Sequence, residues 1–173
     1  LDVPLFLSAT IVDQSGRTLS GQSVEAFYAT LRHARPMVVG LNCALGAQQM
    51  APFVARLAAV AECFILPHPN CGLPNIDGDY DDTPKQLACD VCDLVEKNLV
   101  NLIGGCCGST PAHIGAIAAR INASKTFLPR QLPMASLKPT LWLAGTEAFV
   151  VNSSRELCRV GQKCNINGSR SFK

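Results

Sequence analysis

The sequence predicts an α/β chain organised as half of a (β/α)8 TIM barrel: four β-α units, then an extended linker and the truncated start of a second domain. Three observations carry that expectation. Short, β-branched apolar runs alternate with stripes of helical period along the first 122 residues. The runs begin near residues 5, 37, 64 and 100. That is about 30 residues per unit, as in a barrel that spends roughly 250 residues on eight units. The residues able to carry chemistry stand directly after the second, third and fourth runs, where such barrels place function. An open doubly wound sheet is the rival, and it uses roughly five or six strands. No run opens a GxGxxG or GxxxxGK(S/T) loop, so nucleotide-binding versions have no support.

The first unit opens with Val3 to Ile11, VPLFLSATI. A loop, QSGRTLSG at 14–21, leads to Val24, Phe27, Tyr28 and Leu31 on one helix face. Met37 to Leu41 is the second strand, followed by a stripe of Met50, Phe53, Val54, Leu57, Ala58 and Ala61. A helix starting near Ala51 would hold Pro52 in its first turn, where proline is tolerated. Phe64 to Pro67 is a short third strand. Thr83-Pro84 joins an N-cap to proline at the first helical position, ahead of Leu87, Val91, Leu94 and Val95. Val100 to Ile103 is the fourth strand, and Thr110-Pro111 repeats the cap before Ile114, Ile117, Ala118 and Ile121. Residues 123–140 hold three prolines and no helical stripe. The expected organisation is a half-barrel over 1–122, a linker over 123–158 and the start of a second domain over 159–173. Within the linker, LWLAGTEAFVV at 141–151 reads as two short extended pieces around a turn.

Composition narrows the function classes. Of 173 residues, 48% are hydrophobic and 16% charged, against an average of about 25% charged, so the chain is not disordered. Fifteen basic and 13 acidic residues leave +2 with no basic cluster, which argues against nucleic-acid binding. No apolar run reaches the roughly 18–20 residues of a membrane span. The start at Leu1, without a leader, reads as a fragment cut from a longer chain. Nine cysteines, an odd number in an apolar chain, point to reduced thiols in an intracellular, cytoplasmic protein, some buried and some on a metal.

Position along the chain sorts those cysteines. The second strand runs into Asn42-Cys43, and the fourth into Gly104-Gly105-Cys106-Cys107-Gly108. Adjacent cysteines in a regular strand point to opposite faces, so the glycines must turn the backbone for both to reach one point. Strands two apart lie about 10 Å from each other, a gap three inward-leaning sulfurs can share around one zinc. Three protein ligands leave a fourth position open, as in catalytic zinc sites. Cys43, Cys106 and Cys107 are therefore the candidate ligands, the alternative being three small apolar core residues. The loop His68-Pro69-Asn70-Cys71 follows the strand between them. Asn70 is either a labile fourth ligand or a turn residue; His68 is either a ligand or bonded to backbone; Cys71 is close enough to be an adventitious ligand. Asn42 is a candidate substrate contact beside Cys43. Cys89 and Cys92 form a CxxC in mid-helix, away from the helix N-terminus that would stabilise a thiolate, and Cys63 reads as core. Asp77, Asp79, Asp81 and Asp82 read as a solvated acidic loop.

These segments resemble a known family. GLNCALG at 40–46, PNCGLPN at 69–75, NLIGGCCGSTPAHI at 101–114 and TIVDQSGRTLSGQSVEAF at 10–27 are similar to the homocysteine-binding domain of cobalamin-dependent methionine synthases. The tail VGQKCNINGSRSFK resembles the start of their folate-binding domain, which betaine–homocysteine methyltransferases lack. The resemblance implies the last four units of a (β/α)8 barrel. It also implies zinc on Cys43, Cys106 and Cys107, with Asn70 near the metal and Asn165 toward folate. The implied reaction is attack of homocysteine thiolate on the methyl group of methylcobalamin, giving methionine. The implied partners are homocysteine, the N-terminal half of the barrel, and the folate and cobalamin domains. Departures include Ala9 where the family usually has glycine, Cys71 where it often has alanine, and Gln162-Lys163 where it has a Glu-Arg pair. Three other readings stay open: a betaine-type homocysteine methyltransferase, a non-catalytic half-barrel or remnant that binds zinc or nothing, and a redox protein using Cys89 and Cys92.

Overall fold

Strand register organises the molecule. The computed structural model describes residues 3–133 and 140–151. Strand β1 (Phe6–Thr10) runs parallel to β2 (Val38–Gly46), with Phe6 opposite Val38 and Thr10 opposite Asn42. Strand β2 runs parallel to β3 (Phe64–Asn70), with Val38 opposite Phe64 and Asn42 opposite His68. The central strand is apolar at successive positions, and Val38, Val39 and Leu41 are all buried. That is what a parallel strand covered on both faces requires.

The fourth apolar run departs from expectation. Residues 99–105 form no regular strand, yet their backbone follows β3 closely. The amides of Asn101 and Leu102 donate to the Ile65 carbonyl at 3.0 and 3.1 Å; Gly104 donates to Pro67 at 3.1 Å and Cys106 to Pro69 at 2.8 Å. A parallel ladder needs donors in both directions, and here the return half is missing. Pro67 and Pro69 have no N–H, and the Ile65 N–H is taken by the Asn101 side chain at 3.1 Å. The segment is a strand in position with half a strand's hydrogen bonds.

Helix α1 (Val24–Leu31) begins at the Ser23 cap, whose side chain accepts from the Ala26 amide. Helix α2 (Ala47–Val60) starts four residues before the expected position, so Pro52 lies inside it and the Gln48 carbonyl loses its amide partner. Burial of Met50, Phe53, Val54 and Leu57 holds the helix across that defect. Helix α3 (Pro84–Glu96) shows the expected Thr83 cap and Pro84 start, with Leu87, Val91, Leu94 and Val95 buried. Helix α4 (Pro111–Ala123) is capped at Thr110 with His113 folded back onto the cap amide. Its expected stripe is only partly covered. Ile117 is buried, Ile114 is 43% exposed, and both face an open apolar cavity of about 290 Å³ shared with Val100, Ile103, Ile121 and Phe127. No helix among the described residues is long and apolar enough to cross a membrane.

The segment expected as linker docks back onto the first unit. β4 (Leu141–Ala144) and β5 (Ala148–Val151) form an antiparallel hairpin, the two extended pieces expected there. Its turn accepts from the Ser23 amide through the Thr146 carbonyl at 2.8 Å, and Glu147 pairs with Arg17. Trp142 meets Tyr28 edge-on at 6.2 Å and lies under the Arg32 guanidinium. Residues 152–173, with Cys158, Cys164 and Asn165, lie outside the described residues.

Arg130 does the comparable work after α4. Its buried guanidinium donates to the Ala58, Ala61 and Cys63 carbonyls at the C-terminal end of α2, while its amide donates to Val100. Burial holds its pKa below the ordinary arginine value. Arg130→Ala should cost on the order of 3 kcal/mol, because bonds from a charged donor are worth roughly 1.5–3 kcal/mol each and water recovers part of the loss. Urea unfolding should show a lower midpoint with an unchanged m-value; a midpoint within error of the parent chain would refute the anchoring role.

Candidate metal centre

The three expected cysteines meet because two segments leave regular strand geometry. β2 stays in register with β3 as far as Asn42 opposite His68, and resumes with Gly46 opposite Asn70. Four steps along β2 therefore face two along β3. The extra chain is accommodated at Cys43 and Ala44, whose φ angles of 58° and 59° are left-handed. L-residues resist that conformation by roughly 1–2 kcal/mol each, and such strain concentrates at functional sites. It lifts Cys43 out of the pleat at the C-terminal end of β2.

Cys106 and Cys107 sit in a turn fastened to the β3 end. The Cys106 amide donates to Pro69, the Cys71 amide donates to the Cys107 carbonyl at 2.9 Å, and the Cys107 amide donates to Asn70 Oδ1 at 3.1 Å. Gly108 closes the turn with φ of 78°, and a Cβ there would stand 2.5 Å from the Tyr80 Cβ. Glycine is required twice over at that position. Gly104 has a different reason for lacking a side chain: a Cβ would collide with the His68 ring.

The result is a cluster whose three sulfurs lie within 4.8 Å of one another, the one metal-competent group of Cys, His, Asp or Glu among the described residues. Cys107 Sγ is 3.8 Å from Cys43 Sγ and 4.0 Å from Cys106 Sγ. Bonds of about 2.3 Å in a tetrahedron put sulfurs about 3.8 Å apart, so these two separations suit zinc. Cys43 and Cys106, expected as reduced thiols, are joined in a disulfide with their Cα atoms 5.6 Å apart. The convergence that lets two sulfurs share a metal also brings them within bonding distance of each other. The trio can act as a ligand set only when that bond is reduced, since coordination needs thiolates.

The surrounding residues divide clearly. Asn70 is buried, with Oδ1 on the Cys107 amide and Nδ2 at 3.5 Å from the Tyr80 hydroxyl. Asn42 accepts from Ser8 Oγ at 2.7 Å and donates to Thr10 Oγ1 at 3.1 Å, making a polar row beside Cys43. His68 stands outside the sulfur cluster, and burial lowers its pKa, which favours the neutral ring. Cys71 is buried with its sulfur toward Ser109 Oγ, so it is not a neighbouring ligand. Cys92 is buried on α3 and Cys89 is partly exposed. Asp77, Asp79 and Asp81 are exposed as expected, whereas Asp82 is partly buried, and its pKa is raised by that burial and by Asp90 and Asp81. The Asp82 carbonyl accepts from His113 Nε2 at 2.9 Å, tying the acidic loop to α4.

Sequence reasoning missed Tyr80. Its pKa is raised first by a side-chain hydrogen bond with Cys107 and then by desolvation. A tyrosine in a loop of aspartates carries no motif, and only the three-dimensional seat of its ring on Gly108 marks it. Gly108→Ala should weaken divalent-metal binding by about tenfold or more, given a left-handed penalty of roughly 1–2 kcal/mol plus the Tyr80 collision. Chelator competition reads that affinity, and circular dichroism should show helix content unchanged. An unaltered affinity would show that the turn need not be preserved.

Residues 1–121 match the sequence model of homocysteine S-methyltransferases. With that match covering most of its length, the chain belongs to the homocysteine S-methyltransferase family.

Proposed function

We propose that the chain is the metal-binding half of a zinc-dependent homocysteine methyltransferase of the cobalamin-dependent methionine synthase type. The carrying observation is the convergence of three sulfurs from two strand ends. Reduced, Cys43, Cys106 and Cys107 would hold one zinc and leave a fourth tetrahedral position. Bound there, zinc supplies the Lewis acidity that keeps a fourth sulfur ligand ionised near neutral pH, where a free thiol of pKa about 8.5 is mostly protonated.

The chain's own residues then have distinct tasks. Three thiolates against one divalent ion give the site a net charge of −1, so an arriving homocysteine sulfur keeps its electron density and remains nucleophilic. Asn70 fastens the Cys107 amide through Oδ1, and that oxygen is the candidate for a labile fourth contact. Asn42 and its partners Ser8 and Thr10 offer polar groups beside Cys43 for the rest of the amino acid. Methylcobalamin, held by a domain outside this chain, would supply the methyl group: the S–CH3 bond of methionine would form as the Co–CH3 bond breaks, the cobalt keeping the electron pair. Transfer would require the N-terminal half of the barrel and a cobalamin domain as partners. The tail at 159–173, with Asn165, is assigned to the opening of a folate domain, with 123–158 as its connection. Thiolate chemistry suits a reducing, cytoplasmic setting.

The reduced chain should bind one zinc per molecule. Changing Cys43, Cys106 or Cys107 to Ser should lower affinity by orders of magnitude, because each thiolate contributes a bond and a charge. Cys89→Ser and Cys92→Ser should leave zinc content unchanged, and Asn70→Ala should reduce affinity mildly. Metal analysis after anaerobic dialysis decides: loss of zinc from the Cys89 or Cys92 variants but not from the Cys106 variant would assign the site to the wrong cysteines.

Zinc affinity should fall as pH drops from 8 to 6, because protons compete for the thiolates, and homocysteine binding should release about one proton near neutral pH. Calorimetry in buffers of different ionisation enthalpy measures that release. Binding without proton release would argue against sulfur coordination.

A further inference from the structure

We infer that Thr10, Asn42 and His68 form a carboxylate-binding row across the open face of the sheet, which takes the acid end of a thiol ligand held by the cysteine site. This assignment deepens the zinc reading above and rests on it. Register puts the three residues in one line: Thr10 is opposite Asn42, and Asn42 opposite His68. Register partners in parallel strands point to one face. It is the face turned away from the helices, since the alternate positions Ala9, Leu41 and Ile65 pack into the helix-covered core. Thr10 is exposed, and Asn42 and His68 are half-buried. The row stands one residue before Cys43, and on the fourth segment it ends at Gly104, two residues before Cys106. At about 3.3 Å per residue, it lies roughly 3–7 Å short of those cysteines along the strands. In extended homocysteine the carboxylate carbon is four single bonds from the sulfur, about 5 Å.

Hydrogen-bonding capacity decides which end of the amino acid the row suits. Asn42 Oδ1 accepts from Ser8 Oγ at 2.7 Å, and Asn42 Nδ2 donates to Thr10 Oγ1 at 3.1 Å. An amide nitrogen carries two N–H groups and a hydroxyl one O–H, so one Asn42 N–H and the Thr10 O–H remain free. Turning the amide over exchanges the roles of the two hydroxyls and leaves the same count. His68 makes no hydrogen bond among the described residues. Its ring is seated against Gly104, where an added Cβ would stand 2.2 Å from His68 Cδ2. Neutral or protonated, an imidazole keeps at least one N–H. Three free donors therefore share one face, and the row contains no acidic residue. An ionised carboxylate only accepts, and its two oxygens can take all three donors. An ammonium would find no counter-charge in the row.

Three thiols test this by calorimetry on the reduced, zinc-loaded chain. Homocysteine carries both ends, γ-mercaptobutyrate keeps the acid without the amine, and aminopropanethiol keeps the amine without the acid. γ-Mercaptobutyrate should bind within about threefold of homocysteine. Aminopropanethiol should bind at least about tenfold more weakly, the scale of one hydrogen bond to a charged group. His68→Phe keeps a ring against Gly104 and loses the N–H; Thr10→Val keeps the shape and loses the hydroxyl. Each should weaken γ-mercaptobutyrate by several-fold while leaving aminopropanethiol affinity and zinc content unchanged. Equal affinities for the three thiols, tighter binding of the amine, or an unaltered preference in both variants would overturn the row and leave the zinc site standing. A zinc-loaded chain that binds none of the three would overturn the reading of sulfur coordination and this inference with it.

Discussion

The carbonyls of Ile65, Pro67 and Pro69 on β3 are the support on which the cysteine cluster hangs. They accept from Asn101, Leu102, Gly104 and Cys106, and so carry the backbone that delivers Cys106 and Cys107 to the C-terminal end of the sheet. The same β3 end offers Asn70 to the Cys107 amide and the Cys71 amide to the Cys107 carbonyl. On its other edge β3 pairs with β2, which delivers Cys43. One strand thus sets the distance between both halves of the ligand set. Its prolines make that support one-sided: Pro67 and Pro69 accept toward the cysteine turn and have no N–H to return, so the backbone return comes only past the strand, from the Cys71 amide to the Cys107 carbonyl.

Two strained or crowded positions convert that support into convergence. Left-handed backbone at Cys43 and Ala44 turns the first sulfur inward, and the Gly108 turn beneath the Tyr80 ring turns the other two. Strain of this kind persists only where the surroundings over-determine it. Buried Leu45 and Ala47 follow the bulge, and Asn70 and Tyr80 bracket the turn. The site is therefore set by packing and backbone hydrogen bonds that do not require the sulfurs to be in any one chemical state. The convergence that brings the Cys43 and Cys106 sulfurs within bonding distance is also the one that a shared metal would need.

Helix starts were legible because caps are local: Ser, Thr and Pro act within one turn, as at Thr83-Pro84 and Thr110-Pro111. The identity of the converging cysteines was legible because strand ends in this architecture share one face. The α2 start was not, since the periodic stripe begins at Met50 while Ala47 to Gln49 join the helix through the neighbouring bulge. Nor was the loss of regular strand at 99–105, which depends on prolines in a different segment. The left-handed Cys43 and the contribution of Tyr80 were hidden for a related reason. Neither residue type advertises that conformation or contact, and both arise from tertiary constraint. Arg130 stands in a proline-rich connection with no motif around it, and only the carbonyls at the end of α2 give it meaning.

The central claim is that these three sulfurs form an open metal site that takes the substrate by its sulfur. X-ray absorption at the zinc edge on the reduced, zinc-loaded chain tests it most directly. The account predicts three sulfur neighbours at about 2.3 Å with one lighter atom, rising to four sulfurs when homocysteine is added. Fewer than three sulfurs in the zinc-loaded chain, or a coordination shell indifferent to homocysteine, would contradict it.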